Sequence, residues 1–536
     1  MQSFVANSLT GLFLIMISTI SCSSLVNNKV NNNLKNRFQQ ITRTSIITDT
    51  AKQALKKAIP IAETDPNRPV YHFRPPAQWM NDPAGAIYHN GQYHLFYQFG
   101  PTSDQLTPHI EMYWAHARSR DLVSWEDLPV ALWASRDLGE RRCNSGSVMT
   151  NPKGQPMAFY TSVPIMSNKA RQQWAAVAED DDLINWKKHP SNPLLSLETH
   201  GGPRFGNGWG DTVIFQTNNR TFMILGAELG EDVVLPIYET TDSDWTDWKY
   251  KGLLFRLPKT SLKDLETPSF FPMGKQWVFL CSPGGQVQYF IGSFNLETLT
   301  FHPVNRGTLD HSYGDQWPSL SKEELSKTRW PSLNSPRGFY ANHTLINKDG
   351  QIILLGWVSG FKLGRGWNGC LALPRIFSLG SDGLPRQQPV PALKKLRGSH
   401  TNLKQLKLQD QIHVVGEASG DTLEILVRIN PGTAKSVGVN VRRSKNGNEG
   451  VPISYNRQQL SVAGTKIPFQ LKSHEEILEL QIFLDKSVME VFVNGGREVF
   501  TRVIYPGEKD LGIELFASGG DALVESLDVW QMSSIW

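Results

Sequence analysis

The stretches DPAGAIY (82–88) and GQYHLFYQF (91–99) carry the pattern that decides the fold. The first opens with a polar residue and runs into small and apolar ones, and the second is an aromatic-rich strand that follows a turn. Similar pairs recur four more times: SGSVM (145–149) with PMAFYTSV (156–163), GDTVIF (210–215) with RTFMILGAEL (220–229), ETPSFF (266–271) with KQWVFLCSP (275–283), and FYANHTL (339–345) with QIILLGWVSG (351–360). Because such repeats cannot bury their faces singly, five of them predict an all-β, five-bladed β-propeller.

The C-terminal part of the chain follows a different pattern. Apolar and polar residues alternate there, as in LEILVRI (423–429) and ILELQIFL (477–484), which is typical of half-buried strands. This pattern predicts an antiparallel β-sandwich. We therefore expect a propeller catalytic domain over residues 66–390, a Pro-rich linker over 391–404 and a β-sandwich over 405–536.

The N-terminus predicts export. An apolar run over residues 9–20, followed by small residues, is typical of a signal peptide, which we place at 1–24. The protein is therefore expected to be secreted or exported, either by cleavage or with a lipid anchor at Cys22. Residues 25–65 are polar and are predicted to form a tether. No segment predicts a membrane span.

The composition narrows the class of partner. The net charge is only +4, and Lys and Arg are scattered, so no nucleic-acid partner is predicted. The four cysteines have no metal-ligand spacing, so no metal site is expected. If Cys22 leaves with the signal peptide or is lipidated, three cysteines remain, so a disulfide framework is not expected either. The sequence does not indicate an oligomeric state.

The repeat also predicts where the chemistry lies. In a propeller the first strand of each blade lines the central channel, so residues in the same phase of the repeat converge. Polar candidates in this phase are Asp82, Ser145, Ser147, Asp211, Glu266 and Tyr340. Carboxylates crowded in a partly dry site raise the pKa of one of them. Glycoside cleavage needs this arrangement, in which one carboxylate attacks while a protonated one donates to the leaving oxygen.

Each acid also has a structural interpretation when it is taken alone. Asp82 stands in Asn-Asp-Pro, a common turn initiator, and Asp211 follows Gly210, as a turn residue would. Glu266 is harder to explain as a solvated side chain, because two phenylalanines follow it closely. The shared phase of the three acids favours the functional interpretation.

At these residues the sequence resembles family 32 of the glycoside hydrolases, which holds invertases, inulinases, levanases and fructosyltransferases. The resemblance runs from about Pro69 to the C-terminus. It is carried by WMNDPAG (79–85), YHLFYQ (93–98), WAHA (114–117), DLVSW (121–125), the Trp-x-Gly-x-Leu-x-Leu-Pro-Arg pattern at 367–375, and the segment 485–494 in the predicted sandwich.

The resemblance implies a retaining β-fructosidase that acts on sucrose or a fructan by double displacement, without a metal or an organic cofactor. Asp82 would be the nucleophile, and Glu266 the acid that later becomes the base. Asp211 would hold fructose hydroxyls and stabilise the transition state. The residues implied to line the fructose subsite are Trp79, Asn81, Gln98, Trp114, Ser145 and Tyr340.

Two departures from the family pattern lie beside the acids. The family usually has Arg-Asp-Pro where this chain has Gly210-Asp211-Thr212, and Glu-Cys-Pro where it has Glu266-Thr267-Pro268. An altered surrounding of retained acids predicts a changed substrate or lower activity. The alternatives are a fructosyltransferase on the same scaffold, a catalytically weak fructan-binding protein, which the missing arginine would suit, and a glycosidase for other furanosides.

Overall fold

The computed structural model describes residues 34–43, 47–105, 110–166, 168–206, 208–312, 338–472 and 477–536. Within these ranges the protein is all-β apart from short helical segments. The predicted signal peptide and Cys22 lie outside them. Among the helices that the structure describes, none has both the length and the apolar character needed to cross a membrane.

Five antiparallel sheets fill the chain between residues 78 and 389. The first comprises β1 (Gln78–His89), β2 (Gln92–Gly100), β3 (Tyr113–Ser119) and β4 (Trp125–Leu132), and the second β5 (Glu140–Thr150), β6 (Pro156–Pro164), β7 (Gln172–Ala178) and β8 (Trp186–Lys188). The third comprises β9 (Gly210–Thr217), β10 (Arg220–Leu229), β11 (Asp232–Thr240) and β12 (Lys249–Pro258), and the fourth β13 (Glu266–Met273), β14 (Gln276–Ser282), β15 (Gln288–Asn295) and β16 (Thr300–Thr308). The fifth comprises β17 (Phe339–Ile346), β18 (Ile352–Val358), β20 (Cys370–Leu371), β21 (Arg375–Leu379) and β22 (Pro385–Pro389), while β19 (Trp367–Asn368) pairs with β1.

The first strands of the five sheets contact one another in cyclic order. Strand β1 contacts β5, β5 contacts β9, β9 contacts β13, β13 contacts β17, and β17 contacts β1 again. Separate apolar cores fill the spaces between neighbouring sheets, for example the phenylalanine cluster between the third and fourth. The parallel pairing of Gln78 in β1 with Trp367 in β19 ties the end of this unit to its beginning. The five first strands therefore border one common centre.

Each first strand also carries a β-bulge. The register shifts lie near Asn81–Ala84 in β1, Asn144–Ser145 in β5, Asp211–Thr212 in β9, Thr267–Pro268 in β13 and Ala341–Asn342 in β17. Three of these residues have left-handed backbone: Asp211 with φ 62°, Thr267 with φ 47° and Ala341 with φ 49°. A bulge changes the direction in which side chains point. The same irregularity thus recurs at the position where the sequence places its polar candidates.

The C-terminal unit consists of two six-stranded antiparallel sheets that share one apolar core. One holds β23 (Arg397–Gln409), β25 (Thr422–Asn430), β30 (Leu478–Asp485), β31 (Val488–Val493), β32 (Glu498–Val503) and β34 (Asp521–Met532). The other holds β24 (Ile412–Val414), β26 (Ser436–Arg443), β27 (Val451–Tyr455), β28 (Gln459–Val462), β29 (Thr465–Pro468) and β33 (Gly512–Ser518). The alternating pattern explains the shared core, because every second side chain faces the opposite sheet.

The predicted linker over residues 391–404 is wrong. Residues Pro391–Leu396 form a 3₁₀ helix whose Leu393 and Leu396 are buried, and strand β23 begins at Arg397. The proline-rich composition suggested a linker, but the leucines among the prolines pack into an apolar core that includes residues of both units. The two units are therefore joined without a free linker.

The predicted N-terminal tether is also wrong over part of its length. Residues Asp49–Glu63 form a helix. Its N-cap is Thr48, whose hydroxyl accepts a hydrogen bond from the Ala51 N–H at 3.2 Å. Its buried residues Ala51, Leu55, Ala58 and Ala62 recur at intervals of three or four and belong to the core of the first unit. Because this buried face consists mostly of alanine, the prediction of a tether from the average polarity of the segment did not detect the helix.

An interdomain cluster of five charged residues joins the two units; its members are His72, Asp310, Arg375, Asp485 and Glu490. The Arg375 guanidinium donates to Asp310 at 2.9 Å and to Glu490 at 2.7 Å, and all three side chains are fully buried. His72 lies 2.8 Å from Asp485 and 3.0 Å from Glu490. Two sequence motifs therefore contact each other in this cluster. Arg375 is the last residue of the motif at 367–375, and Asp485 and Glu490 belong to the segment 485–494.

Candidate active site

Asp82 lies at the common centre and is held by side chains from three strands. Ser145 Oγ in β5 donates to Asp82 Oδ2 at 2.6 Å, and Asn81 Nδ2 donates to Oδ1 at 3.0 Å. Gln98 Nε2 in β2 lies 3.3 Å from Oδ2, and Gln98 Oε1 accepts from Asn81 Nδ2 at 2.8 Å. Trp79 fixes the amide of Asn81 through an indole N–H donated to Oδ1 at 3.0 Å. The Asp82 carboxylate therefore has a fixed orientation.

Opposing influences set the protonation of Asp82. Desolvation is the largest, and together with the charge of Asp211 it raises the pKa of Asp82 to about 7. The hydrogen bonds donated by Ser145 and Asn81 act in the opposite sense, because they stabilise the ionised form. Asp82 is thus an oriented carboxylate that ionises near neutral pH.

Glu266 begins strand β13 and is bonded to Tyr340 of β17. The Tyr340 hydroxyl donates to Glu266 Oε2 at 2.7 Å and accepts from the Gly284 N–H at 2.9 Å. Desolvation by the surrounding walls, followed by the charges of Asp264 and Asp211, raises the pKa of Glu266 to about 8. The carboxyl group still reaches solvent through the opening of the site. Glu266 is therefore a protonated, accessible acid at neutral pH.

Asp211 lies between the other two acids in the cyclic order of strands. Its Oδ2 accepts from the Thr267 N–H at 2.9 Å, directly beside Glu266, and its own N–H donates to Thr161 Oγ1 at 2.8 Å. Burial raises the pKa of Asp211, while the Thr267 N–H and the charge of Arg171 oppose the rise. The structure therefore brings together all three acids that the sequence singled out.

The two departures from the family pattern have local structural explanations. A Cβ on Gly210 would lie 3.0 Å from Thr161 Oγ1 and 3.1 Å from its Cγ2, so Thr161 crowds any side chain at 210. At the second departure, the Thr267 hydroxyl donates to Ser282 Oγ at 2.9 Å, and Asn342 Nδ2 donates to the Thr267 carbonyl at 3.1 Å. These bonds hold the bulge that follows Glu266.

One predicted subsite residue does not line the site. Trp114 is fully buried in the core between the first two sheets, and its indole N–H donates to the Asn144 carbonyl at 3.0 Å. It supports the backbone that carries Ser145, but its ring has no exposed surface that a ligand could contact. The motif correctly predicted proximity to the site, because Trp114 pairs with Gln98 across β2 and β3, yet the motif cannot say which way a ring points.

Sequence reasoning missed two charged residues near the acids. Asp264 precedes Glu266 by two residues, a spacing that puts both side chains on one side of an extended chain. Arg171 precedes Gln173 by two residues, and Gln173 Oε1 accepts from Thr212 next to Asp211 at 2.7 Å. Burial raises the pKa of both Asp211 and Asp264, and the charge of Arg171 partly opposes this rise. The alternating direction of side chains along a strand could have predicted that Asp264 lies beside Glu266. Nothing in the sequence indicates that Arg171 lies near the acids.

Two family models match the chain, and the first alone covers more than half of it. Residues 72–389 match the glycosyl hydrolases family 32 N-terminal domain, and residues 392–531 match the family 32 C-terminal domain. The chain belongs to glycosyl hydrolase family 32. The chain is therefore a glycoside hydrolase, and the boundary between the two family 32 domains lies at the start of the 3₁₀ helix that replaces the expected linker.

Similar proteins include a levanase of Bacillus subtilis (strain 168), 28% identical over 88% of this chain and 71% of that protein. A sucrose-6-phosphate hydrolase of Escherichia coli is 26% identical over 87% of this chain and 94% of that protein. Among solved structures, fructan 1-exohydrolase IIa from Cichorium intybus has a TM-score of 0.75 at 21% identity, covering 88% of this chain and 98% of that one. A family 32 β-fructofuranosidase of Bombyx mori has a TM-score of 0.73 at 24% identity, covering 91% and 99%. These structures share the fold of the family 32 chain described here.

Proposed function

We propose that this family 32 protein is a retaining β-fructofuranosidase that releases fructose from sucrose or fructans. The proposal depends on a difference between two carboxyl groups of the site. Three hydrogen-bond donors orient the carboxylate of Asp82, whereas the carboxyl group of Glu266 is protonated at neutral pH. The similar proteins named above are hydrolases, so fructosyl transfer and fructan binding without turnover are not favoured. The five sheets are, in this proposal, the blades of a β-propeller, followed by a β-sandwich.

The first half of the reaction breaks the bond between the anomeric carbon and the leaving oxygen. An Asp82 carboxylate oxygen attacks the anomeric carbon of fructose while Glu266 gives its proton to the leaving oxygen. Asp82 Oδ1 has a single side-chain donor and is the freer oxygen for this attack, whereas Oδ2 is bonded to Ser145 and Gln98. The products are a fructosyl ester on Asp82, an ionised Glu266 and the released alcohol.

The second half hydrolyses this ester. The ionised Glu266 takes a proton from water, whose oxygen attacks the anomeric carbon and displaces the Asp82 carboxylate. Tyr340 stabilises the ionised form of Glu266, since its hydroxyl donates to Oε2. Asp211 adds negative charge beside the positively charged transition state, and it accepts hydroxyl hydrogens of the sugar through the oxygen not bonded to Thr267.

The test compares variants of the acids by reducing-sugar release from sucrose, inulin and levan. Asp82→Asn should lower kcat by about 10⁴-fold or more, because it removes the attacking group. Glu266→Gln should slow sucrose strongly, yet an activated fructoside much less, because a good leaving group needs no proton. The control is Asp349→Asn, which alters an exposed acid paired with Lys348 at a hairpin tip. Equal losses in Asp349→Asn, or no loss in Asp82→Asn, would refute the proposal.

We also infer that the enzyme is secreted or exported. The apolar run over residues 9–20 supports this inference. N-terminal sequencing of the protein recovered outside the cells should begin after residue 24, and Cys22→Ala separates a lipid anchor from simple cleavage. Retention of residues 1–24 in a cytoplasmic product would contradict export.

A further inference from the structure

Asp264 lies beside the proposed acid but has no part in the mechanism above. It directly precedes strand β13, and Leu265 between it and Glu266 is fully buried in the core between the third and fourth sheets. Because side chains alternate along an extended chain, Asp264 and Glu266 both lie on the side opposite Leu265. The two carboxyl groups are therefore carried on the same face of the chain.

Contacts with neighbouring backbone fix the Asp264 carboxylate. Its Oδ1 accepts from the Leu265 N–H at 2.7 Å. A Cβ on Gly208 would lie 3.5 Å from Asp264 Oδ1 and 3.7 Å from Glu228 Oε1, so the segment that leads to Asp211 covers both carboxylates. Glu228 has its own cation, since it accepts from Lys259 at 2.7 Å. Asp264 is thus held at the edge of the site, between Glu266 and the third sheet.

We propose that Asp264 is a positioning residue that acts through Glu266, keeping it in the protonated form that cleavage requires. An ionised Asp264 repels a second negative charge on the same face of the chain, so it opposes loss of the Glu266 proton. The proposal rests on the function proposed for Glu266, because it gives Asp264 no contact with substrate.

The electrostatic surroundings agree with this geometry. The charged or titratable groups around Glu266 are Asp82 on β1, Asp211 on β9, Tyr340 on β17 and Asp264 itself, and those around Asp264 also include Arg171 before β7 and Glu228 on β10. Among the acidic neighbours, Asp264 contributes most to the raised pKa of Glu266, ahead of Asp211 and Asp82. Burial raises the pKa of Asp264 itself to about 6, so its charge is present above that pH. It acts between about pH 6 and 8.

The experiment is the pH profile of kcat/KM on sucrose for Asp264→Asn against the wild type. The wild-type profile should rise through about pH 7 as Asp82 ionises and fall above about pH 8 as Glu266 loses its proton. In Asp264→Asn the basic limb should move towards acid by about one pH unit, which is about a ten-fold loss at pH 9. The acid limb should move less, since the largest charge that acts on the pKa of Asp82 is that of Asp211.

Controls separate this role from a structural one. Asp264→Glu keeps the charge and should keep the basic limb, and Glu228→Gln removes a carboxylate from the same surroundings without moving it. An Asn carbonyl can still accept from the Leu265 N–H, so Asp264→Asn should unfold at the wild-type temperature. An unmoved basic limb, or collapse of the fold, would overturn the proposal. If Glu266→Gln left turnover of sucrose intact, the proposed function itself would fail instead.

Discussion

The candidate active site and the interdomain cluster both bring several carboxyl groups close together, but the charges that surround these groups differ. In the interdomain cluster, Arg375 and His72 neutralise Asp310, Glu490 and Asp485 at hydrogen-bond distance. Despite burial, which acts to raise it, the pKa of Glu490 is lowered by Arg375 and His72. In the active site, no described cation lies within ion-pair distance of the three acids, and their pKa values rise. Carboxyl groups are thus paired with cations where the two units meet, and lie without a described cation at the candidate active site.

The largest expected effect comes from removing the cation at the centre of the interdomain cluster. Arg375→Met should lower the free energy of unfolding by about 3–5 kcal/mol, because it removes the buried cation that is paired with both Asp310 and Glu490. Urea unfolding measures the loss. The matched control is Lys348→Met, whose partner Asp349 is exposed and whose loss should cost less than about 1 kcal/mol. Similar losses in both variants would contradict the expected difference between a buried and an exposed ion pair.

A smaller, pH-dependent effect should come from His72. Burial alone lowers its pKa, but hydrogen bonds to Asp485 and Glu490 outweigh this and raise it to about 9. Since this value lies above that of the unfolded chain, the stabilisation is fully present below about pH 6.5 and is lost as the pH rises through about 9. His72→Gln should therefore destabilise by about 3 kcal/mol at pH 6 and much less at pH 10. A difference from wild type that is constant with pH would contradict this assignment.

The smallest effect should have the opposite sign. The folded-state pKa of Asp82 is raised to about 7, so ionisation costs stability as the pH rises from about 4 to 7. Asp82→Asn should therefore stabilise the protein by about 1–2 kcal/mol at pH 8, a figure reduced for the partial exposure of the side chain, and should have no such effect at pH 4. Thermal unfolding of Asp82→Asn and Asp349→Asn at both pH values measures it. If Asp82→Asn were less stable than the wild type at pH 8, ionisation of Asp82 would not cost stability, and the predicted difference from the interdomain cluster would be wrong.

The repeats in the sequence predicted which residues of the site occupy equivalent positions in successive sheets. Five phased segments placed Asp82, Asp211 and Glu266 at equivalent positions, and the structure brings the three together. The bulges that orient them were not predictable, because register is decided by the neighbouring strand and not by local composition. Arg171 was missed for a related reason, since no motif includes it and its proximity to Asp211 arises only when separate strands meet. Asp264 was missed although its spacing of two residues from Glu266 is visible in the sequence.

The remaining errors have one cause. The linker and the tether were predicted from average composition, but a few buried residues decide whether a segment docks, such as Leu393 in one and Leu55 in the other. Likewise the sequence identified the motifs that end at Arg375 and begin at Asp485 without indicating that they contact each other. Ion pairs between residues that are far apart in the sequence produce no periodic pattern from which they could be predicted.

The parallel pairing of β1 with β19 has a consequence for biosynthesis. The strand that carries Asp82 acquires this neighbour only after the ribosome has added Trp367, although the strand itself is made early. A nascent or prematurely terminated chain that stops short of that residue exposes an unpaired strand edge next to Asp82, and such edges can pair with other chains. The first sheet is therefore complete only when nearly all of the first unit has been synthesised.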